Sequence, residues 1–411
     1  MRFVPTLAAL ASLICTASAN AQSTGNEPSS GGVQKAASTM ADGDAQPIGD
    51  FPKLSFDTLF NFELAGMSAS AGPSRHFMPS LRFDSTLLVD LTDQLSLDGL
   101  FQFKPRQPLS ASDPNQNLFI NQGAGRREGG KMKELYLRYG NFRVGKFVQD
   151  FGRAYALLPG PYAADFIEEP EQGYEPSDMI GGEWLHVFES ELGGWRQLTV
   201  SAFMVDRTFL HESFPYNEGM IHYKDGGVGN TRLPENIMVT FDNLNMPIGH
   251  WGQLTWQASV IRWGKTYGAE RGERWATLGG DLAIPLRRSV ASTLRQDYSQ
   301  IRLYVEGAIR HNFNGFADRQ RDYLSGSIEY LSGRWLFDAT TTQRWTTDPI
   351  QPLQKDELYT GTIGFNLPSQ TTISASVARE LVDHRTGVYA GIRLTRTLTT
   401  CSRCLLKGRA Y

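Results

Sequence analysis

The most restrictive feature of this chain is a period-two alternation of apolar and polar residues that recurs through almost the whole sequence after Asp50. From Ile301 to Ile309 one series reads Ile301, Leu303, Val305, Gly307, Ile309, and the other carries Arg302, Tyr304, Glu306, Ala308 and Arg310. Successive side chains of a strand point to opposite faces, so one face suits an apolar medium and the other suits water. The same holds for Leu81, Phe83, Ser85, Leu87, Val89 and Leu91 against Arg82, Asp84, Thr86, Leu88 and Asp90, and for Leu97, Gly99, Phe101 and Phe103 against Asp98, Leu100, Gln102 and Lys104. A soluble β-sandwich also alternates, but its strands are commonly shorter, and segments of about ten residues or more favour tilted membrane strands.

The alternation predicts strands over 52–65, 77–92, 95–107, 131–140, 142–151, 180–189, 195–207, 235–244, 252–264, 272–286, 299–313, 320–332, 334–347, 355–367, 370–383 and 386–399. That makes about 16, and bacterial outer-membrane barrels have an even strand number. Connection lengths supply a second test, because such barrels have short periplasmic turns and long extracellular loops. Short links fall at Thr92-Asp93-Gln94, Gly140-Asn141, Ser332-Gly333 and Pro368-Ser369, and long ones at 108–130, 152–179 and 208–234. The segment 287–298 is a long link on the short-turn side, expected to form a small amphipathic helix. The fold class is therefore all-β, a transmembrane antiparallel β-barrel. Trp184, Trp195, Trp251, Trp256, Trp263, Trp275, Trp335 and Trp345 sit toward predicted strand ends, where barrels carry aromatic girdles at headgroup level.

Composition agrees. Mean hydropathy is −0.33, and no apolar run after the N-terminal segment reaches the roughly 18 residues of a membrane helix. Barrel strands escape that test because half of their residues are polar. The net charge of −3 makes no case for nucleic acid. No linker divides the roughly 360 residues after Asp50, which is long for one ordinary soluble core.

At the N-terminus, Arg2, the apolar run Phe3–Ile14 and Ala19-Asn20-Ala21 have the order of a secretory signal peptide over 1–21. Residues 22–50, rich in Ser, Gly, Ala, Gln and Asp, read as a disordered periplasmic leader. The barrel then spans 51–399, and 400–411 forms a C-terminal tail. Cys401 and Cys404 suit a disulfide or two idle thiols better than zinc, which needs further ligands. No metal or cofactor is expected.

Residues 140–147, GNFRVGKF, nearly spell a phosphate-binding loop, but Phe147 stands where a Ser or Thr must hold Mg²⁺. The following FVQDFGRAY is a poor helix start. Gly140-Asn141 then reads as a hairpin turn, Gly145 as a bend or close approach within a strand, and Lys146 as a wall or interfacial charge.

This pattern resembles the general-porin type of Gram-negative outer-membrane channel over roughly residues 51–399. The hairpin ELYLRYGNFRVGKFVQDFG is similar to that family's strand, tight turn and Gly-containing strand before a long loop. Val388-Tyr389-Ala390-Gly391-Ile392-Arg393-Leu394 resembles the terminal signal read by the barrel-assembly machinery, although Arg396 replaces the favoured aromatic and the chain runs on to Tyr411. The resemblance implies a homotrimer among outer-membrane lipids and lipopolysaccharide.

Alternation sends charge of both signs into the lumen: Arg82, Lys104, Arg138, Arg302, Arg310, Arg344 and Arg393 against Asp57, Glu63, Asp84, Asp98, Glu134, Glu306, Asp338 and Glu380. A charged side chain on the lipid face costs about 2–4 kcal/mol near the midplane, which drives these groups inward. The sharpest candidate outside the strands is DFIEEPEQGYEPSD, with Asp165, Glu168, Glu169, Glu171, Glu175 and Asp178. By resemblance this loop narrows the pore and sets its acids against basic wall residues. The alternative is a solvated outer loop that touches divalent ions of lipopolysaccharide.

Enzyme signals are poor. His211-Glu212 begins like a zinc-protease helix, but Pro215 takes the place of the second histidine, and no G-x-S-x-G elbow occurs. The expected function is passive diffusion of small hydrophilic solutes or ions. The competing expectations are a dedicated channel for an anionic oligosaccharide or polysaccharide, and an outer-membrane enzyme or adhesin.

Overall fold

The computed structural model describes residues 53–69, 76–103, 130–158, 173–189, 193–212, 220–287, 299–349, 353–367, 371–382 and 385–401. The expected signal, leader, amphipathic link and Cys404 lie outside them. Sixteen antiparallel strands close into one barrel, each paired with its sequence neighbour and β1 with β16. In order they are β1 (Lys53–Ala69), β2 (His76–Asp90), β3 (Leu95–Phe103), β4 (Gly130–Tyr139), β5 (Phe142–Phe147), β6 (Met179–Glu189), β7 (Trp195–Val205) and β8 (Asn236–Ile248). Then follow β9 (Gly252–Arg262), β10 (Arg274–Arg287), β11 (Ser299–His311), β12 (Gln320–Ser332), β13 (Trp335–Thr347), β14 (Gln354–Leu367), β15 (Thr371–Val382) and β16 (Arg385–Cys401). Closure leaves no strand edge unpaired, the condition for strands to cross hydrocarbon.

Side-chain exposure follows the alternation. On β11, Leu303, Val305 and Ile309 face outward and are exposed, while Tyr304, Glu306, Ala308 and Arg310 face inward and are buried. Leu324 and Ile328 on β12, Phe337 on β13, Ile363 on β14, Val377 on β15 and Ile392 on β16 extend the outer apolar surface. Inside, hydroxyls pair across strands, as in Thr362 with Ser376 at 2.9 Å and Ser325 with Thr342 at 3.3 Å. A Val305→Arg substitution should therefore lower barrel stability by about 2–4 kcal/mol in lipid, measured by urea unfolding in liposomes.

The hairpin turn at 140–141 places Gly140 at φ 53°, as at the first central position of a type II′ turn. Gly145 takes φ 141°, and a Cβ there would lie 2.4 Å from the Leu135 carbonyl oxygen, so only glycine fits this close crossing of β4.

The aromatic girdle holds in part. Trp184, His186 and Phe188 stack in sequence along β6, and Phe188, Phe241 and Trp256 continue the belt round to β9. Trp251 and Trp335 are exposed at short turns. Trp263 and Trp275 depart from expectation: both are 2% exposed, face inward and join a core of Phe151, Tyr174, Met179, Phe203, Ile261 and Tyr323. A buried aromatic core in the lumen requires something to pack against the wall, and that is a loop.

β5 ends at Phe147, earlier than the expected 151, because the chain leaves the wall and turns inward. β16 runs on past the expected 399 to Cys401, with Arg396 in register with Phe60 and Thr371 at the short-turn end. Arg396 is exposed on the outer face there, a level where a charge reaches headgroups.

Candidate functional site

The segment between β5 and β6 enters the barrel and crosses to the opposite wall. Gln149 accepts a 2.7 Å hydrogen bond from the Ser201 hydroxyl on β7. The Asp150 carbonyl accepts from Thr240 on β8 at 2.8 Å, and its carboxylate accepts from Gln257 on β9 at 3.1 Å. Burial pushes the Asp150 carboxyl up from its ordinary value. Phe151 packs on Trp275, and one helical turn, Ala154–Leu157, follows.

Glu306, in the middle of β11, is the main anchor. Its carboxylate accepts from the Arg153 backbone N–H at 2.6 Å, the Ala154 N–H at 3.2 Å and the Tyr174 hydroxyl at 2.6 Å. Two of these donors lie at the inward limb and one at the returning limb, so a single wall carboxylate closes both ends of the crossing. Burial and the neighbouring Glu306 charge push the Tyr174 phenol well above its usual range, so it stays a donor. Gly152, with φ 73°, passes so close that a Cβ would lie 2.9 Å from the Glu306 carboxylate. Beside this anchor, Arg153 reaches Asp281 on β10 at 3.1 Å, and Arg302 approaches the same carboxylate at 3.9 Å.

Arg310 is inward, as expected, but it is not a free pore charge. Fully buried, it lies over Trp275 (4.1 Å) and Phe313 (4.6 Å), pairs with Glu273 at 3.0 Å and donates to the Gly173 carbonyl. It clamps the returning limb, while Tyr174 packs on Tyr323 at 4.9 Å. Arg344 is similarly inward and held by Asp356 at 2.7 Å, and Arg138 pairs with Asp98 at 3.3 Å. Arg393 on β16 stands in register with Glu63 and Ser374, and Arg82 on β2 with Asn61. Lys104, Asp165, Glu168, Glu169 and Glu171 lie outside the described residues.

In the described part of the crossing, Arg153 and the backbone N–H groups of Arg153 and Ala154 face the wall carboxylates Asp281 and Glu306. Sequence reasoning missed Arg153, although its position directly after Phe151-Gly152 placed it in the same loop. Glu175 remains in the returning limb, next to Tyr174.

Asp178 is not a free constriction acid: at the loop's exit Lys131 and Lys146 bond it at 3.0 and 3.2 Å. Burial alone would raise its carboxyl, but Lys133, Lys131 and Lys146 outweigh that and hold it well below the usual carboxylate range. Lys146 also pairs with Asp206 at 3.0 Å and donates to the Leu210 carbonyl at 2.9 Å, drawing the turn Phe209–His211 onto the barrel flank.

No family model matches the chain, and neither does any curated protein. Solved structures do. The anion-selective porin from Comamonas acidovorans shares 10% identity at a TM-score of 0.52, covering 84% of this chain and 100% of that one. Salmonella typhi OmpF, in a complex with daunomycin, shares 8% at 0.52, covering 84% and 97%. The outer membrane channel DcaP of Acinetobacter baumannii shares 11% at 0.50, covering 84% and 96%. With its closed strand order, outward apolar belt and inward polar wall, the chain has the porin-like β-barrel fold of bacterial outer-membrane channels.

Proposed function

We propose that this protein is a passive outer-membrane channel for small hydrophilic solutes or ions, narrowed by the loop between β5 and β6. The observation that carries the proposal is the loop's fixed place inside the barrel, bonded to inward groups of β7 to β11 through Gln149, Asp150, Arg153 and Tyr174. A channel that selects by size needs a constriction that holds its dimensions. Charge of both signs at Arg153, Arg302 and Asp281 would then act on the solutes that pass.

A dedicated track for an anionic polysaccharide is less well supported. Such a track requires arginines available to the ligand, whereas Arg138, Arg143, Arg153, Arg302, Arg310 and Arg344 each have a wall carboxylate within salt-bridge distance. The proposal is transport without catalysis. Liposomes carrying the refolded protein should swell in isotonic arabinose and progressively more slowly in di- and trisaccharides. Liposomes that stay unswollen in arabinose would overturn the proposal.

A further inference from the structure

Beneath the loop, three inward side chains share one rung of the wall: Asp242 on β8 stands in register with Gln197 on β7 and Gln257 on β9. All three are at most 2% exposed. Asp150 descends onto this rung from the loop, accepting from the Gln257 amide at 3.1 Å. Two carboxylates therefore meet around one amide in a buried setting.

Charge balance singles them out. Glu183 is held by Arg143 at 2.7 Å, Asp281 by Arg153 at 3.1 Å, Glu273 by Arg310 at 3.0 Å and Asp356 by Arg344 at 2.7 Å. Glu306 has its three donors. Arg143 and Arg153 are the cations near Asp150, and both are engaged with other carboxylates. Two buried carboxylates without a cation in contact are strongly disfavoured unless a proton or a metal ion joins them.

The neighbouring oxygens decide between these. Among the described residues, Asp150 Oδ2, Asp242 Oδ2, Gln197 Oε1 and Gln257 Oε1 are all buried and find no hydrogen-bond partner. One proton serves one oxygen pair, whereas a cation takes several oxygens at once. Turning the Gln257 amide over presents that same oxygen, in place of its N–H donor, to the Asp150 side without moving the rest of the side chain. The set is all oxygen and mixes carboxylate with neutral amide, which suits a hard divalent ion. Its irregular placement on a wall and a loop suits Ca²⁺, which accepts varied geometry, better than Mg²⁺, which demands an octahedron.

We propose that Asp150, Asp242, Gln197 and Gln257 form a Ca²⁺-class divalent cation site that fastens the inner loop to the β7–β9 wall. The site stands apart from the transport proposal, and its test does not require conduction. Full-length protein is refolded in detergent without lipopolysaccharide, stripped with EGTA, and its thermal unfolding followed against added Ca²⁺. The unfolding temperature should rise and saturate, with little response to Mg²⁺. Asp242→Asn keeps the shape and removes one charge, so it should fold as well as the wild type in EGTA and lose the Ca²⁺ response. Gln257→Leu should weaken the response at least tenfold in Ca²⁺ concentration. Asp338→Asn, a lumen acid on β13, should respond like the wild type. A wild type that ignores Ca²⁺, or an unchanged response in both Asp242→Asn and Gln257→Leu, would overturn the site.

Discussion

Replacing Glu306 with alanine is expected to widen the channel. The substitution removes the common acceptor of the Arg153 N–H, the Ala154 N–H and the Tyr174 hydroxyl, leaving three donors in a buried place. Each orphaned donor costs about 1–3 kcal/mol, so together they exceed what the loop can tolerate in its present pose. The barrel wall itself should persist, because β11 keeps its backbone ladders to β10 and β12. Single-channel recordings of Glu306→Ala should therefore show larger conductance steps and a weaker size cutoff. Steps of wild-type size would mean that the loop is held chiefly by its aromatic contacts with Trp275 and Tyr323.

Lys146→Met should have the largest effect on stability. It deletes the cation shared by Asp178 and Asp206 on the barrel flank, at a position with no exposed surface. Breaking a buried pair from one side typically costs about 3–5 kcal/mol, since an uncompensated charge stays behind. Asp178 retains Lys131, but among the described residues the Asp206 side chain retains only its bonds from the Thr208 amide and hydroxyl. A lower unfolding temperature and faster proteolysis within 206–212 are expected.

The same cluster sets a pH dependence with two limbs. Burial pushes the His211 imidazole down, Asp178 opposing and Lys146 adding to it, so the folded protein resists protonating this group. Its contribution is complete above the unfolded value of about 6.5 and fades as pH falls through the lower folded value. The Asp178 carboxyl, held low by its lysines, contributes fully above about pH 4 and is lost only below that. Unfolding temperature against pH should show both limbs, and His211→Gln should remove the upper one alone.

The barrel was legible because alternation is written into each strand. β12 matches its expected bounds of 320–332, and most other strands agree within a few residues. The inner loop was less legible because alternation states which face a wall residue takes, not what arrives to cover it. Arg310 reads as inward from β11 alone; only the returning chain at Gly173 turns it from a pore charge into a clamp. Trp263 and Trp275 read as girdle residues for the same reason, and their core partners Phe203 and Phe151 come from far along the chain. Asp178 reads as a constriction acid because it ends an acidic run; only the fold brings Lys131 and Lys146 of β4 and β5 onto it and makes it a buried ion-pair partner.

The central claim is a water-filled barrel narrowed by a loop pinned across its lumen, and single-channel conductance in a planar bilayer tests it most directly. The purified full-length protein should insert in uniform steps, and Glu306→Ala in larger ones. An electrically silent wild-type barrel, correctly folded by circular dichroism, would contradict the account.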